Sequence, residues 1–511
     1  MNKNQKTRRS RGFAWMIGSG LLLSAAALLT TSCAKDGFNE EQFVSPVTNS
    51  QLASPTLTKQ NFSTQIATDG SERILVAWDV VLGAGGYEYA AYNVDDPANP
   101  IELAKGVADG AYFSFPKAED TKYQVSVKTL GNKKLNNTDA PEATTFAYST
   151  MIDAKIIPAG QDIAEFIKAN LTNSEEEQAF ELEAGATYTC NSSFDFMDNK
   201  MTLRGSKVNH PVVVMGEEAV IYTSSQLKLK FINFDCSAMT NKWGVIEMSP
   251  EPPATKSAEA QGIGAGKGGG KPADVYVLMD PIIIQDCAFK NVPNCFFSVG
   301  TCSWGIADLR VLNSVIQLNN DGSKNANGSL FSAYSSEFKS PSGGQFWSGC
   351  IRNITVKEST IYNSVSNSKC FTIRFNNKDL DRVFPTADGS ANFFNNTFIK
   401  VFDGKNFADR TPNQAKYIIS YDNNVFVDCF RLQKFILGNC TVNHHKELNT
   451  GWGIKNSLDG TDKEKWVTEE DPGIAESEMA KELDFSQPMY GINFKASGTI
   501  SRTIGDPRWL D

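Results

Sequence analysis

Residues 419–426, Ile-Ser-Tyr-Asp-Asn-Asn-Val-Phe, carry the pattern that decides the fold, because it occurs six times between about Leu227 and Phe426. Each copy has apolar residues at its first and third positions, then a polar corner, and ends on Phe or Ile. The final residues are Phe234, Phe289, Ile316, Ile361, Phe398 and Phe426. The third-position residues are Leu229, Ile284, Val311, Val356, Phe393 and Tyr421. The first-position residues are Leu227, Ile282, Leu309, Ile354, Ala391 and Ile419.

The corner between the apolar pair and the final residue is polar in five of the six copies. These corners are Asp286-Cys287, Asn313-Ser314, Glu358-Ser359, Asn395-Asn396 and Asn423-Asn424, whereas the first copy has Phe231-Ile232. Alternating apolar residues predict a strand with one buried face, and Asn or Asp beside it tolerates left-handed turn geometry. A strand, a tight corner and a second strand, repeated, predict the coils of a β-solenoid.

The spacing of the copies supports the same prediction. It is shortest from Phe289 to Ile316 and from Phe398 to Phe426, and each of these two spacings corresponds to one coil. The other three spacings correspond to a coil with an added loop or to two coils. Stacked coils pair their strands in parallel and tolerate insertions on one side. The alternative is a β-sandwich with irregular loops, which does not require the same corner in each repeat.

The N-terminus predicts export and lipid anchoring. Residues 1–11 are basic and residues 13–31 are almost entirely apolar or small, which indicates a signal peptide rather than a membrane span. The stretch Leu29-Thr30-Thr31-Ser32-Cys33 resembles a lipobox with Cys33 as the lipid-modified residue. Ala34-Lys35-Asp36 is similar to the signal that sends lipoproteins of Bacteroidetes to the outer face of the outer membrane. Residues 34–50 are then a tether. The alternative is an ordinary cleaved signal.

Composition excludes several classes of function. A net charge of -9 and the lack of a basic run after residue 11 argue against a nucleic-acid partner. The ten cysteines include no C-x-x-C pair, so zinc and redox motifs are unsupported. Cys236, Cys287 and Cys429 fall inside or just after repeat copies, which predicts buried thiols, with disulfides as the alternative.

Residues 51–150 predict a small all-β domain. The predicted strands are Leu52–Thr58 as an edge strand, Ile74–Trp78, Tyr87–Tyr92 and Tyr123–Thr129. The string Ala77-Trp78-Asp79, a turn, then Gly86-Tyr87-Glu88-Tyr89 resembles a fibronectin type III domain. That resemblance implies a core position for Trp78, a tyrosine-corner position for Tyr123, and a spacer role. Tyr87, Tyr89 and Tyr92 are assigned to packing, with sugar binding as the alternative.

The rest of the chain, about residues 155–511, resembles a known group of β-helix proteins. A helix at Asp162–Asn170 with Asp162 as its cap, the string Thr202-Leu203-Arg204-Gly205, and the closing residues 504–509 are similar to pectate-lyase-like right-handed β-helix surface lipoproteins of Bacteroidetes. The resemblance implies a capping helix, a C-terminal cap and partners among glycan-uptake proteins. The predicted fold class is therefore all-β, with a fibronectin type III-like sandwich followed by a right-handed parallel β-helix.

Two insertions interrupt the repeats. Residues 250–273 are rich in glycine and predict a flexible exposed loop that lacks the spacing of a phosphate-binding loop. Residues 332–349 hold several aromatic side chains, and we predict that Tyr334, Phe346 and Trp347 stack on sugar rings. The alternative is that these aromatic residues fold back over the coil as a lid.

Signals for catalysis are weak. The resemblance implies that a lyase would need cations, Ca²⁺ or basic side chains, beside the uronate carboxylate, and a basic residue to remove a proton. The candidate catalytic residues are Lys369, Arg374, Lys378 and Lys405, with Arg374 projecting from a strand at residues 372–375. No lyase or polygalacturonase sequence motif is present, and His444-His445 is assigned to a surface turn rather than to a metal site.

Three functions remain open from the sequence. The first is a non-catalytic surface lipoprotein that binds polysaccharide, pectin-like by the resemblance, on a β-helix face and needs no cofactor. The second is a diverged polysaccharide lyase, for which Ca²⁺ would be the cofactor. The third is an adhesin or structural surface protein with the same architecture and no preference for glycans.

Overall fold

The computed structural model of the chain describes residues 47–240, 244–263, 275–320, 329–334, 349–365, 371–375, 384, 388–402, 407–409, 416–429, 440–454 and 466–510. The contacts divide the chain into two compact units, the first ending at Tyr148 and the second starting at Ser149, with Asp95–Ala98 assigned to the second. Among the described residues, no helix is long and apolar enough to cross a membrane.

The first unit is a β-sandwich of seven antiparallel strands. They are β1 (Phe62–Ile66), β2 (Glu72–Ala77), β3 (Ala84–Asn93), β4 (Ile101–Ala108), β5 (Tyr112–Pro116), β6 (Lys122–Gly131) and β7 (Thr144–Ser149). One sheet has the order β1-β2-β5 and the other β4-β3-β6-β7. Alternate residues of both sheets point into a common apolar core, as the period of two in a strand requires.

The predicted core residues of the sandwich are in place, and one predicted strand is wrong. Trp78 is 6% exposed and makes an edge contact with the ring of Tyr87. The Tyr123 hydroxyl accepts from the backbone N–H of Ala118 at 2.7 Å and donates to the Ala118 carbonyl at 3.0 Å. Residues 52–58 form no strand, and Pro55 within them has no N–H to donate to a ladder. The assignment to fibronectin type III remains a prediction.

The second unit is a parallel β-helix whose strands form three sheets. The eleven-strand sheet contains β8 (Lys155–Ile157), β9 (Gln178–Leu182), β12 (Met201–Arg204), β15 (Leu227–Lys230), β18 (Tyr276–Leu278), β19 (Ile282–Gln285), β22 (Trp304–Leu312), β25 (Cys350–Lys357), β28 (Gly389–Phe394), β31 (Tyr417–Asp422) and β33 (Thr441–His444). The ten-strand sheet contains β10 (Thr187–Cys190), β13 (Val212–Met215), β16 (Asn233–Asp235), β20 (Ala288–Val292), β23 (Val315–Leu318), β26 (Thr360–Asn363), β29 (Thr397–Ile399), β32 (Val425–Val427), β34 (Thr450–Trp452) and β35 (Thr468–Glu469). The seven-strand sheet contains β11 (Phe194–Asp195), β14 (Ile221–Thr223), β17 (Gly244–Met248), β21 (Cys295–Ser298), β24 (Ser329–Ala333), β27 (Phe371–Phe375) and β30 (Ala408–Asp409).

The six sequence copies stack in the register that the sequence predicts. Phe234 pairs with Phe289, and this column continues through Ile316 and Ile361 to Phe398 and Phe426. The two apolar columns that begin at Leu227 and Leu229 pair in the same way through all six copies. Adjacent copies are hydrogen-bonded directly, so each long spacing is one coil with an insertion and not two coils. The predicted fold class, a β-sandwich followed by a right-handed parallel β-helix, is confirmed.

The polar corners adopt the predicted left-handed geometry. The first corner residue has a φ of 51° at Asp286, 44° at Asn313, 55° at Glu358, 57° at Asn395 and 59° at Asn423. The second corner residues form a chain of buried hydrogen bonds along the stack, which we call the corner ladder. Its members are the second corner residues Ser314, Ser359, Asn396 and Asn424 and, in the coil after the last copy, Asn449, and each accepts from a backbone N–H of the preceding coil.

Two segments outside the repeats cover surfaces that the coils would otherwise expose. Helix α1 (Ile163–Asn170) buries Ile163 and Ile167 in the core of the first coils, and the Asp162 side chain caps it by accepting from the Glu165 N–H at 3.1 Å. Near the C-terminus, helix α2 (Glu476–Met479) starts a segment that packs on the ten-strand sheet. Short 3-10 turns lie at Lys59–Asn61, Lys133–Leu135, Ala254–Lys256, Lys446–Leu448, Pro488–Gly491 and Pro507–Trp509.

The cysteines that the structure describes are not paired with one another in disulfides. Cys190, Cys236, Cys287, Cys295, Cys350 and Cys429 are buried, and Cys302 and Cys440 are partly exposed. Burial raises the pKa of Cys287 to about 12, which keeps its thiol protonated and unreactive. The predicted buried thiols Cys236, Cys287 and Cys429 therefore belong to the core.

Candidate functional site

The seven-strand sheet carries a row of polar side chains, which we call the polar ladder. Backbone pairing places one residue from each of six successive strands at the same register position: Asp195, Tyr222, Glu247, Ser298, Ser332 and Arg374. The residues just before them are Phe194, Ile221, Ile246, Phe297, Phe331 and Ile373, and all of these belong to the core. Since successive side chains of a strand point to opposite faces, the polar ladder faces away from the core. The backbone of Arg374 pairs in turn with that of Asp409 in β30.

At one end of the polar ladder, Arg374 and Tyr334 are stacked. The guanidinium carbon of Arg374 lies 3.8 Å from the centroid of the Tyr334 ring. Tyr334 directly follows β24, and its backbone N–H donates to the Ser332 hydroxyl at 3.4 Å. Arg374 is 7% exposed. Tyr334 is half-buried, and a guanidinium over the face of its ring is attracted to the ring electrons.

In the middle of the polar ladder, Glu247 is a buried carboxyl. The residue is 4% exposed, and burial raises its pKa to about 8. The backbone N–H of Gly244 donates to Oε1 at 2.8 Å and works against this rise, because it favours the charged form. Gly300 has a φ of 66°, and a Cβ at this position would lie 3.2 Å from Oε2 of Glu247. The carboxyl is therefore mostly protonated at neutral pH and enclosed by backbone.

The end of the polar ladder opposite Arg374 carries a second acid, Asp195. Burial raises the pKa of Asp195, whose Oδ2 accepts from the Ser249 hydroxyl at 2.5 Å and whose Oδ1 accepts from the Met197 N–H at 2.7 Å. Burial also raises the pKa of Tyr222 to about 12, and the carboxyls of Glu247 and Asp195 add to the rise. Both hydrogen bonds to Asp195 hold its carboxyl in a fixed orientation.

The polar ladder separates charge along the sheet. Parallel strands lie about 4.8 Å apart, so Arg374 is about 14 Å from Glu247 and about 24 Å from Asp195, measured between backbones. The planar N–H donors of an arginine suit an anionic group, whereas the acidic end cannot neutralise an anion. Between the two ends, Ser298 and Ser332 keep their hydroxyls on nearby backbone groups.

Two of the predicted site residues come together in the structure, and the others lie outside the described residues. Tyr334 and Arg374, predicted for glycan binding and for catalysis respectively, are in direct contact. The predicted residues Phe346, Trp347, Lys369, Lys378 and Lys405, and the lipidation residue Cys33, are not among the described residues.

The sequence patterns did not indicate Asp195, Tyr222 or Glu247 as site residues. Each follows an apolar residue in a short stretch, as in Phe194-Asp195-Phe196 and Ile221-Tyr222-Thr223, which is a weak signal for one outward side chain in a buried strand. The aligned repeat columns belong to the other two sheets, so the alignment did not extend to these strands.

The glycine-rich insertion is partly packed against the coils, which corrects its prediction as a flexible exposed loop. Of its described residues, 254–256 form a 3-10 turn, Ser257 bridges to Tyr276, and Ala258 is fully buried. The Gln261 side chain also donates to the Val277 carbonyl at 2.7 Å. The first half of the insertion therefore packs against β18 instead of extending into solvent.

The histidine pair is only in part a surface turn. His445 is exposed, and its ring nitrogen lies 2.9 Å from Asp422, which raises the pKa of His445. His444 is instead the last residue of β33 and stacks on the ring of Tyr421, with the ring of Trp466 also close. Within the described part of the chain, no group of three or more His, Cys, Asp or Glu is placed to hold a metal ion.

Comparisons with known protein families leave the activity open. A family model, DUF4992, described as a domain of unknown function, matches residues 8–187, and a second one, a domain of unknown function (DUF4957), matches residues 186–364. No curated protein matches the chain.

Solved structures with some similarity include an exopolygalacturonase and pectate lyases. A family 28 exopolygalacturonase from Yersinia enterocolitica is 10% identical, with 80% of this chain and 82% of that chain covered and a TM-score of 0.29. Pectate lyase Pel3 from Pectobacterium carotovorum is 8% identical, with 71% and 84% covered and a TM-score of 0.18. Pectate lyase PelI from Erwinia chrysanthemi, in complex with tetragalacturonic acid, is 9% identical, with 72% and 85% covered and a TM-score of 0.16. TM-scores this low define no shared active site.

Proposed function

We propose that this protein binds an acidic polysaccharide on the outward face of the seven-strand sheet and does not cleave it. The observation that carries the proposal is the stacked pair of Arg374 and Tyr334, 3.8 Å apart at one end of the polar ladder. A guanidinium binds a sugar carboxylate through two parallel N–H donors, and an aromatic ring offers a flat apolar surface to the C–H face of a sugar. The pair thus supplies both kinds of contact that a uronate residue requires.

Binding is favoured over lyase chemistry by the state of the charged groups. A lyase reaction needs a base, whereas the guanidinium of Arg374 presents a planar fork of N–H donors, which suits it to bind a carboxylate. Glu247 is the buried acid of the polar ladder, and its carboxyl oxygens face backbone, with Oε1 accepting from the Gly244 N–H and Oε2 beside Gly300. Neither group is arranged to take a proton from a sugar ring.

The proposal includes the location of the protein. Cys33 would carry the lipid that holds the chain on the outer membrane, on its extracellular side, and residues 34–50 with the sandwich would act as a spacer. Polysaccharide captured there would be passed to glycan-uptake proteins. This part of the proposal is supported by the signal-like sequence of residues 1–33.

The test is to measure binding of pectin, alginate, hyaluronan and neutral polysaccharides to the full chain by pull-down, with ultraviolet absorbance read in parallel for unsaturated uronate. Arg374→Ala is expected to weaken binding of the acidic polymer by about tenfold to a hundredfold, since a hydrogen bond to a charged group contributes about 1.5–3 kcal/mol. Tyr334→Phe should bind like the wild type, and Tyr334→Ala should lose several-fold. Arg374→Lys should recover only part of the loss, because a lysine lacks the planar fork of donors.

A matched control is Arg352→Ala. Arg352 lies on β25 of the eleven-strand sheet, where it forms an ion pair with Asp388 at 2.7 Å, so its loss should leave polysaccharide binding unchanged. An absorbance rise that Arg374→Ala abolishes would show a polysaccharide lyase instead. If no polymer is retained and no product forms, the proposal is refuted and an adhesin is favoured.

A further inference from the structure

A cleft of about 740 Å³ opens at the other end of the β-helix, where the first coils turn from the seven-strand sheet to the eleven-strand sheet. Its walls come from the turn between β11 and β12, the turn after β14, the loop before β9 and the insertion after β17. A volume of this size lies within the range of sites that bind small molecules. No residue of the Arg374 and Tyr334 pair takes part in it.

The wall of this cleft contains a buried hydroxyl that has no hydrogen-bond partner among the described residues. Ser225 is 1% exposed, and its Oγ forms no hydrogen bond with the residues that the structure describes. Its backbone is satisfied, because its N–H donates to the Thr223 hydroxyl at 3.1 Å and its carbonyl accepts from the same group at 3.0 Å. A buried hydroxyl without a partner is unfavourable, and a ligand with hydroxyl groups in the cleft would satisfy it.

The charges around the cleft disfavour an anionic ligand. Asp198 and Lys256 neutralise each other as an ion pair at 2.7 Å. The remaining charged groups of the lining are the exposed carboxylates of Glu175 and Glu251 and one ammonium group, Lys200. Lys200 forms no ion pair with any residue that the structure describes, so its three N–H donors can reach ligand hydroxyls.

The lining also offers surface that suits a sugar ring. The Asn173 side chain is exposed and adds an amide, which both donates and accepts hydrogen bonds. The Met197 side chain is 58% exposed beside these polar groups, and its backbone is held at a φ of 53°. Donors, acceptors and an adaptable apolar side chain together match the hydroxyls and the C–H face of a saccharide.

We propose that this cleft is a second glycan-binding site and that it takes an uncharged saccharide unit. Lys200 and Asn173 hydrogen-bond the sugar hydroxyls, Ser225 Oγ gains its missing partner, and Met197 contacts the ring. The inference rests on the proposed polysaccharide binding and extends it to a polymer that carries both acidic and neutral sugars. The cleft lies beside Asp195, so the two sites are at opposite ends of the polar ladder, about 24 Å apart, and one chain that reaches both gains avidity.

The test uses the full chain and the linear trisaccharides of galactose, arabinose and rhamnose, with binding detected by saturation-transfer NMR and quantified by titration. For the trisaccharide that binds, Ser225→Ala and Lys200→Ala are each expected to lower affinity by about threefold to tenfold, the effect of losing one hydrogen bond. Neither variant should lower the melting temperature, since the structure gives neither side chain a described partner to lose.

Ser224→Ala is the matched control. Ser224 is the neighbouring serine, is fully buried, and also has an Oγ without a partner among the described residues, but it does not line the cleft. The affinity of Ser224→Ala for the trisaccharide should equal that of the wild type. Two outcomes would overturn the cleft proposal alone. In the first, Ser225→Ala and Lys200→Ala bind with wild-type affinity. In the second, the chain binds no neutral trisaccharide but still retains acidic polymer. Loss of acidic polymer binding with Arg374→Ala tests the sheet site separately, and a chain that binds no saccharide would refute both proposals.

Discussion

Glu247 is a single carboxyl whose protonation is coupled to the stability of the whole coil. Its pKa is raised from 4.5 to about 8 by burial, whereas the unfolded chain exposes it to water and lets it ionise near its ordinary value. At pH values between these two pKa values, the native state holds a proton that the unfolded state has released. The native state is therefore favoured at low pH, and this contribution is lost as the pH rises to 8.

We predict that Glu247→Gln removes this pH dependence. The slope that Glu247 contributes is at most about 1.4 kcal/mol for each pH unit, so the wild type should lose stability relative to the variant between about pH 5 and about pH 8 and remain level above it. Glutamine keeps the acceptor for the Gly244 N–H. The measurement is the free energy of unfolding in urea at several pH values. The exposed Glu259→Gln is the control, and a difference between wild type and Glu247→Gln that stays constant with pH would refute the prediction.

At the scale of the structural element, the corner ladder makes each turn of the β-helix depend on its neighbours. The Asn424 side chain accepts from the Asn396 N–H at 3.0 Å and donates to the Phe393 carbonyl at 2.9 Å, and both contacts are fully buried. Its amide also lies 3.2 Å from the Asn449 oxygen. An asparagine in this position satisfies backbone groups of two coils at once, which a hydrophobic side chain cannot do.

We predict that Asn424→Ala destabilises the protein by about 2–4 kcal/mol, because at least two buried backbone groups lose their partners at about 1–3 kcal/mol each. The change should be local, so hydrogen exchange at the Asn396 amide should accelerate more than exchange in the first coils. Asn392→Ala, on the half-exposed outer side of β28, is the control and should change stability by less than about 1 kcal/mol. Equal effects of the two substitutions would argue against the corner ladder as a stabilising element.

How much the sequence could predict depends on which face of each element is constrained. The inward columns repeat Leu, Ile, Val and Phe because every coil must fill the same interior, so their register could be aligned from the sequence alone. The polar ladder could not be aligned from the sequence. Its outward positions are Asp, Tyr, Glu, Ser, Ser and Arg, which share no residue type. Only Arg374 and Tyr334 could be singled out, because an arginine in a strand and an aromatic residue in a polar loop are individually unusual.

The atypical first corner shows a second limit. Phe231 adopts a left-handed φ of 59°. Left-handed geometry costs about 1–2 kcal/mol for a residue with a Cβ. The side chain is nevertheless 3% exposed and packs beside the ring of His210. Burying a phenylalanine contributes about 1.5–3 kcal/mol, so burial outweighs backbone strain here. Searching the sequence for Asn or Asp therefore misses a left-handed corner wherever a large apolar side chain at the corner can be buried.

At the scale of the whole β-helix, the C-terminal segment covers the outward face of one of the three sheets. Its apolar residues cover the outer side of the ten-strand sheet, where Val315, Tyr362, Ile399, Val425 and Val427 would otherwise contact water. The segment is fastened by a buried network in which the Trp509 indole N–H donates to the Thr360 hydroxyl at 2.7 Å and this hydroxyl donates to Asp506 at 2.6 Å. The covered sheet is thus a stabilising face, and the proposed binding site lies on a different sheet.

We predict that Thr360→Val separates stability from binding. Valine has the shape of threonine, but the Trp509 indole and the fully buried Asp506 carboxyl each lose a hydrogen-bond partner. The free energy of unfolding should therefore fall by about 2–4 kcal/mol. Retention of acidic polysaccharide should not change, because the network lies on a different sheet from Arg374.

Thr355→Val on the half-exposed side of β25 is the matched control and should leave both stability and retention near the wild type. The measurements are urea denaturation and the polysaccharide pull-down on the same preparations. If Thr360→Val were as stable as Thr355→Val, the C-terminal segment would not be fastened by this network, and if it lost polysaccharide while folded, the binding face would have to include the ten-strand sheet.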